Sequence, residues 1–374
     1  DIVSFGMLTQ FRCKYTKYLS DCNPFWNKYA NPLRFLTFLL TREKALNRKP
    51  YFCRYIPFLH IIYMVLEIIL LLVGIVLVLW GADRFTDGAS GLARKWHVSE
   101  LVIGLTIVAA GTSLPEFMVS LLSTLQGSAD MSTGNIIGSN IFNSLVILGA
   151  SALMLPLAVD KALLYRDMPI TILVSLMLFG LVFFDSTISR SDALIFLAFF
   201  AIYIYYTFYL ARKNRKAEKE KEAEKTASYL VLAFQIIIGM AALVIGARLM
   251  VSEGASMARH WGVSESVIGL TILAGGTSLP ELATSMVAAR KGREGLAVGN
   301  VIGSNVFNIA GILGLCTLIR PMQVENIALT DWIALVGSGI IVWIVSFTRG
   351  KIEKWEGCFL LLCYLLYMIN LLCK

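Results

Sequence analysis

VIGLTIVAAGTSLPE at residues 102–116 returns almost unchanged as VIGLTILAGGTSLPE at 267–281. Each copy is an apolar run that ends in a proline and a glutamate. A proline inside a helix removes one main-chain N–H and crowds the carbonyl four residues earlier, and a carboxylate at membrane depth is costly. A chain that sets both into one hydrophobic run, twice, is building a broken helix around a pair of acids. The likeness spreads outward at a fixed offset of 165 residues: VSELVIGLTIVAAGTSLPE (98–116) and VSESVIGLTILAGGTSLPE (263–281) agree at 16 of 19 positions. GNIIGSNIFN (134–143) pairs with GNVIGSNVFN (299–308), and GLARKWHVSE (91–100) with SMARHWGVSE (256–265), at the same offset. The chain is an internal duplication.

The composition says what is duplicated. Of 374 residues 57% are hydrophobic and 16% charged, far from a soluble domain. A bilayer span takes ~20 mostly apolar residues. Ten such stretches occur, near 62–80, 99–125, 134–157, 169–185, 192–211, 229–251, 264–289, 299–319, 331–348 and 357–372. Continuous apolar runs exclude a transmembrane β-barrel, whose strands alternate over ~10 residues. The expected fold is an all-α polytopic membrane protein with ten transmembrane helices. Five spans per copy is an odd number, so the second copy enters the bilayer upside down, giving two inverted five-helix repeats. Such repeats with interrupted helices at matching positions are the signature of secondary transporters, with the site at the midplane between them.

The expected domains are an N-terminal extension at 1–63, a first repeat at 64–211 (helices 1–5), a charged linker at 212–228 and a second repeat at 229–374 (helices 6–10). Loops 1, 3, 5, 7 and 9 of the ten-span core carry eighteen Lys/Arg, seven of them between Arg212 and Lys225, while the alternate loops carry four. The first set, with the linker, is therefore expected on the cytoplasmic side. Residues 1–63 hold ten Lys/Arg against three acids and lack the layout of a signal peptide, whereas Met64 opens an ordinary first membrane helix. The native protein is expected to begin at or near Met64; N-terminal sequencing that found a start well before it would reject this. The seven cysteines form no CxxC pair and no zinc spacing, and read as isolated thiols.

Pro115 and Pro280 strip the carbonyls of Gly111 and Gly276 of their helical donors, and unpaired main-chain oxygen at membrane depth is tolerated only against protein or a water-filled cavity. Thr112, Ser113, Thr277 and Ser278 add hydroxyl oxygens, and Glu116 and Glu281 one carboxylate each. Hard cations such as Ca²⁺ and Na⁺ take mixed oxygen ligands of this kind; no thiolate or imidazole lies nearby to favour zinc or copper. Ser139 and Asn143, four apart, share a helix face, as do Ser304 and Asn308, so a second helix in each repeat can complete the shell. The pairs Gly134/Gly138 and Gly299/Gly303 are expected to let that helix pack closely. A lone proline is usually only a kink and a lone GxxxG only packing. Two glutamates, each after a proline, in one inverted repeat outweigh that reading. Glu100 and Glu265 at helix starts suit a capping role, and Asp83, Asp87 and Glu253 an interfacial one.

These two motifs, at one offset over residues 64–374, closely resemble the α-repeats of the calcium/cation antiporter superfamily, and most of all the prokaryotic sodium/calcium exchangers. The resemblance implies an integral protein of a prokaryotic inner membrane that exchanges Ca²⁺ for Na⁺ by alternating access, with helices 62–80 and 229–251 as the moving pair. It implies no catalysis, no cofactor beyond the transported ions, no nucleic acid, the lipid bilayer as surroundings and a functional monomer. Carried over by position, Glu116 and Glu281 are the central ligands. Thr112, Thr277, Ser113, Ser278, Ser139, Ser304, Asn143 and Asn308 are further oxygen donors, and the carbonyls of Ala109 and Ala274 complete outlying sodium sites. One position departs: Asn308 stands where well-studied members carry aspartate, which leaves two formal charges, the Na⁺:Ca²⁺ ratio open and potassium coupling disfavoured. Proton/calcium exchangers usually have a glutamate in the second motif, where this chain has Gly138 and Ser139. A proton-coupled Ca²⁺ antiporter is thus the alternative, and a cation channel a weaker one. No HExxH, nucleophile elbow or Ser/Lys pair points to an enzyme.

Overall fold

A computed structural model describes residues 56–219, 227–262 and 274–372. The expectations for residues 1–55, for Glu265 and for residues 220–226 of the linker lie outside them. The chain divides into two units, residues 1–68 and 69–374; the architecture that follows is that of the second.

Twelve helical pieces follow in order, and the last six repeat the first six. They are α1 (Ile56–Trp96), α2 (Glu100–Thr112), α3 (Leu114–Gln126), α4 (Ala129–Met154), α5 (Leu163–Asp185) and α6 (Arg190–Lys219). Then come α7 (Tyr229–His260), the described end of α8 (Ala274–Gly276), α9 (Leu279–Arg290), α10 (Glu294–Ile319), α11 (Leu329–Phe347) and α12 (Lys354–Leu372). Among the described residues eight helices are long and apolar enough to cross a membrane, and α2 with α3 makes a ninth span bent by 47°. The tenth expected stretch, 264–289, begins outside the described residues and ends in α9.

Three helix ends differ from the expected ones, one of them that of α7, which runs to His260 rather than stopping near residue 251. Helix α1 does not stop near residue 80 but runs to Trp96, so Asp83, Arg84, Asp87, Arg94 and Lys95 ride on a helix rather than in a loop. Ala82, Phe85, Ala89 and Ala93 are all buried; this stripe at helical spacing ties the polar end of α1 to the core. Helix α6 likewise continues to Lys219, so the charged linker starts as helix.

Helices α1 and α7 cross backbone to backbone. A Cβ on Gly74 would stand 2.9 Å from the Gly246 carbonyl oxygen, and one on Gly81 2.8 Å from that of Gly239. Gly239 and Gly246 are the counterparts of Gly74 and Gly81 at the offset of 165, so the crossing is reciprocal, and only glycine allows it.

The inversion is visible at both ends of the bundle. Between α4 and α5, β1 (Leu157–Ala158) pairs antiparallel with β4 (Lys351–Ile352), which lies between α11 and α12. Between α5 and α6, β2 (Thr187–Ile188) pairs with β3 (Met322–Gln323), which lies between α10 and α11. Each ribbon thus joins one repeat to the other, on opposite faces, with Leu157 and Ile352 buried in one and Ile188 and Met322 in the other. In this outer half of the repeats the offset is 164. Tyr203 Oη donates to Asp167 at 3.3 Å and Tyr367 Oη to Asp331 at 3.1 Å; the N–H of residue 189 donates to Asp192 and that of residue 353 to Glu356. The last pair caps α6 and α12 in the same way.

Candidate cation-binding site

Helices α2 and α3 break at Ser113 (φ −79°, ψ 10°), and α9 starts from Ser278 with nearly the same backbone (φ −87°, ψ 10°). Proline is the second residue of each new helix, which places Glu116 and Glu281 in first turns. There the helix dipole favours a carboxylate. Both glutamates are fully buried, and among the described ion pairs neither takes part in any.

The two breaks meet and exchange partners across the pseudo-two-fold axis. Ser113 Oγ donates to Glu281 Oε1 at 2.9 Å, and Ser278 Oγ donates to Glu116 Oε1 at 2.7 Å. The second oxygen of each carboxylate has no hydrogen-bond partner. Five more oxygens of the same motifs are buried in the same condition: Ser139 Oγ, Ser304 Oγ, Asn143 Oδ1, Asn308 Oδ1 and Thr277 Oγ1. Thr277 and Ser139 approach the Glu116 carboxylate without completing a hydrogen bond. A buried polar atom without a partner costs ~1–3 kcal/mol, more for a charged group, so these oxygens are candidate ligands for a bound cation. All seven are hard oxygens, and the set carries two formal negative charges, which fits one Ca²⁺ or two Na⁺.

The other expected donors differ. Thr112 Oγ1 lies 3.1 Å from both the Val108 carbonyl and Asn300 Oδ1, so its hydroxyl is engaged where that of Thr277 is free. The Ala109 carbonyl accepts the Ser113 N–H at 3.1 Å, which leaves one lone pair. Ala274, its counterpart, opens the short helical piece before the second break.

Sequence reasoning passed over four asparagines inside the motifs it had marked. Asn135 Nδ2 donates to the Glu116 carbonyl (3.3 Å) and to Ser120 Oγ (2.9 Å); Asn300 Nδ2 donates to the Glu281 carbonyl (3.4 Å) and to Ser285 Oγ (3.0 Å). Asn140 and Asn305 hold the amides of Asn308 and Asn143. Their signal was present as identity in both copies at one offset. A further unexpected feature lies just beyond: α4 widens into i→i+5 turns at Asn143–Ile147 and α10 at Phe307–Leu313. Such π-bulges concentrate at functional sites.

Among the described residues the two GxxxG pairs have different surroundings, and the expected close packing is seen at Gly299 and Gly303. A Cβ on Gly303 would stand 2.5 Å from the Leu105 carbonyl oxygen and one on Gly299 2.8 Å from that of Leu101, so α10 is pressed against α2. Among the described residues, a Cβ on Gly134 or Gly138 would meet nothing within 4 Å. Those glycines line a cavity of about 1490 Å³ that runs from Asp130, Ser252 and Asn326 at one face down to Pro115 and Thr277. The opposite face is closed by charge: Lys291 Nζ contacts Asp83 (2.6 Å) and Asp87 (2.8 Å), and Arg293 contacts Asp87 (2.9 Å) and Glu100 (3.8 Å).

Inverted repeats, helices broken at matching points and a buried oxygen cluster reached from one face define a membrane-embedded secondary transporter. The comparisons with known proteins say which kind. Residues 66–209 and 231–373 match the sodium/calcium exchanger protein family, and the chain belongs to that family. It is 38% identical over 314 residues to the putative antiporter CaxA of Alkalimonas amylolytica, covering 81% of this chain and 98% of that one. It is 33% identical over 343 residues to the sodium/calcium exchanger MaX1 of Methanosarcina acetivorans, with 81% and 97% covered. Among solved structures, the sodium-calcium exchanger NCX_Mj superimposes with a TM-score of 0.70 at 33% identity, covering 82% of this chain and 98% of that one.

Proposed function

We propose that the protein exchanges Ca²⁺ for Na⁺ across a prokaryotic inner membrane by alternating access, with the ions held between Glu116 and Glu281. The observation that carries this is the set of seven unpartnered buried oxygens, one from each carboxylate and five from their motifs, with no ion pair to either glutamate among the described residues. Ca²⁺ engages both carboxylates at once; Na⁺ uses the same oxygens with the hydroxyls and the Ala109 and Ala274 carbonyls. An empty site leaves two uncompensated carboxylates in a low-dielectric occlusion, which is strongly disfavoured. That penalty couples the return step to an ion and enforces exchange. With the basic loops and the linker in the cytoplasm, the cavity opens outward and the Asp83–Asp87–Lys291–Arg293 cluster seals the inner face. The glycine-locked pair α1/α7 packs over the breaks, with Phe85 and Met240 at Gly111 and Val251 at Gly276, and is the moving element.

The test is ⁴⁵Ca²⁺ uptake into proteoliposomes preloaded with Na⁺, with K⁺ or with a proton gradient. Uptake only with internal Na⁺ is expected. Uptake driven by protons would replace the reading with a proton-coupled antiporter, and flux needing no counter-ion would make the protein a channel. The seal gives a second expectation. Exposed ion pairs contribute ~0.2–1 kcal/mol each, so Lys291→Ala should shift the balance toward the inward-open form by about 5–10-fold. The readout is thiol labelling of Ala283→Cys in a cysteine-free background. Ala283 is 8% exposed and is the counterpart of Met118, which lines the open cavity. An unchanged labelling rate would show that the cluster does not hold the inner face shut.

A further inference from the structure

Asn140 and Asn305, three residues before Asn143 and Asn308, are buried and fully bonded. Asn140 Nδ2 donates to the main-chain carbonyl of Asn305 at 3.1 Å, and Asn140 Oδ1 accepts from Asn308 Nδ2 at 3.0 Å. Asn305 Oδ1 accepts from Asn143 Nδ2 at 3.1 Å, and its own amide donates to Ser144 Oγ at 2.9 Å. The direction of the first chain is fixed by chemistry. A carbonyl only accepts, so Asn140 turns its NH₂ to Asn305 and must turn its oxygen to Asn308. Asn308 then has to answer with its NH₂, which leaves its oxygen pointing away, buried and without a partner. The matching bond from Asn143 to Asn305 leaves the Asn143 oxygen in the same condition.

We propose that Asn140 and Asn305 are positioning residues that hold Asn308 and Asn143 oxygen-first toward the cation, and that Asn140 makes residue 308 a neutral donor. This rests on the exchanger reading of the site. With Asn140 removed, the amide of Asn308 is free to rotate and present an NH₂ to a cation, which repels it. An ionised aspartate at 308 would set two acceptors, its carboxylate and Asn140 Oδ1, against each other in a dry interior. Asn140 cannot turn to relieve this, because its NH₂ is committed to a carbonyl. The amide at 308 and the acceptor at 140 thus form a matched pair, and the site is built for two charges.

A double-mutant cycle tests this. Equilibrium ⁴⁵Ca²⁺ binding is measured without Na⁺ on the purified full chain, the nearly isosteric Asn140→Leu, Asn308→Ala and the double variant. Asn140→Leu is expected to weaken Ca²⁺ binding by about 10-fold, the scale of one oriented hydrogen bond to a charged partner, yet to add nothing in the Asn308→Ala background. Additive losses, or an Asn140→Leu affinity equal to that of the unaltered protein, would overturn the positioning role. The cycle of Asn305→Leu with Asn143→Ala makes the same demand from the other repeat, and decides the question if Asn140→Leu does not fold. Thermal unfolding without Ca²⁺ separates a folding defect from a lost ligand. Absence of Ca²⁺ binding by the unaltered chain would overturn the exchanger reading and this proposal together. Intact binding with additive losses overturns the positioning role alone.

Discussion

Glu116→Gln and Glu281→Gln are each expected to abolish Na⁺-driven Ca²⁺ uptake, with a loss of more than ~100-fold, since breaking a buried charge pairing costs about 3–5 kcal/mol and 1.4 kcal/mol is tenfold. The two carboxylates supply all the formal charge among the seven open oxygens. One substitution leaves a single negative charge against Ca²⁺ in a site that excludes water. Stability should move the other way. Without ions each variant is expected to melt higher than the parent, because one uncompensated buried carboxylate is gone. Ca²⁺ at 100 times its dissociation constant should stabilise the parent by ~2.7 kcal/mol and the variants hardly at all. Thermal unfolding with and without Ca²⁺ reads both signs. A variant that still transports, or whose melting still responds to Ca²⁺ as the parent does, would remove the glutamates from the centre of the site.

Gly138→Val and Gly303→Val should behave as opposites although their motifs read almost alike. At Gly303 a Cβ would press on the Leu105 main chain, with the carbonyl oxygen at 2.5 Å and Cα at 2.7 Å. Neither atom is the movable end of a side chain, so α2 and α10 must separate. The substitution is expected to cost ~3 kcal/mol or more, at the upper end of overpacking penalties, and to lower the melting temperature sharply. At Gly138 the added carbons enter the open cavity, and melting should stay close to that of the parent. Transport should nevertheless stop, because the added side chain enters the cavity that Gly138 lines and that the proposed cycle must close. Melting curves and ⁴⁵Ca²⁺ uptake on the two variants decide it. If Gly138→Val leaves uptake intact, the cycle does not close that cavity.

Much of this was legible in the sequence because an inverted repeat writes itself twice. The offset of 165 between identical motifs and the odd number of spans per copy gave the inverted fold, and the pairing of each proline with a glutamate pointed to the two breaks that the structure brings together. The ends of α1 and α6 were not legible. A hydropathy reading stops where charge appears, whereas α1 is carried on to Trp96 by the buried stripe Ala82, Phe85, Ala89 and Ala93. The outer symmetry was hidden by one missing residue: Tyr203–Asp167 and Tyr367–Asp331 match at 164, not 165.

By itself, then, the sequence determined the membrane class, the duplication and the chemistry of the donors, because hydrophobic length, repeat offset and residue type are local properties. What only the tertiary structure decided is how equal halves become unequal. Ser113 reaches Glu281 and Ser278 reaches Glu116 because the repeats face each other across an axis. Gly303 is pressed against α2 while Gly138 has no described neighbour within 4 Å, and Thr112 is bonded while Thr277 is not. Two near-identical motifs cannot encode that difference locally. It arises from contacts between segments far apart in the chain, which no short motif specifies.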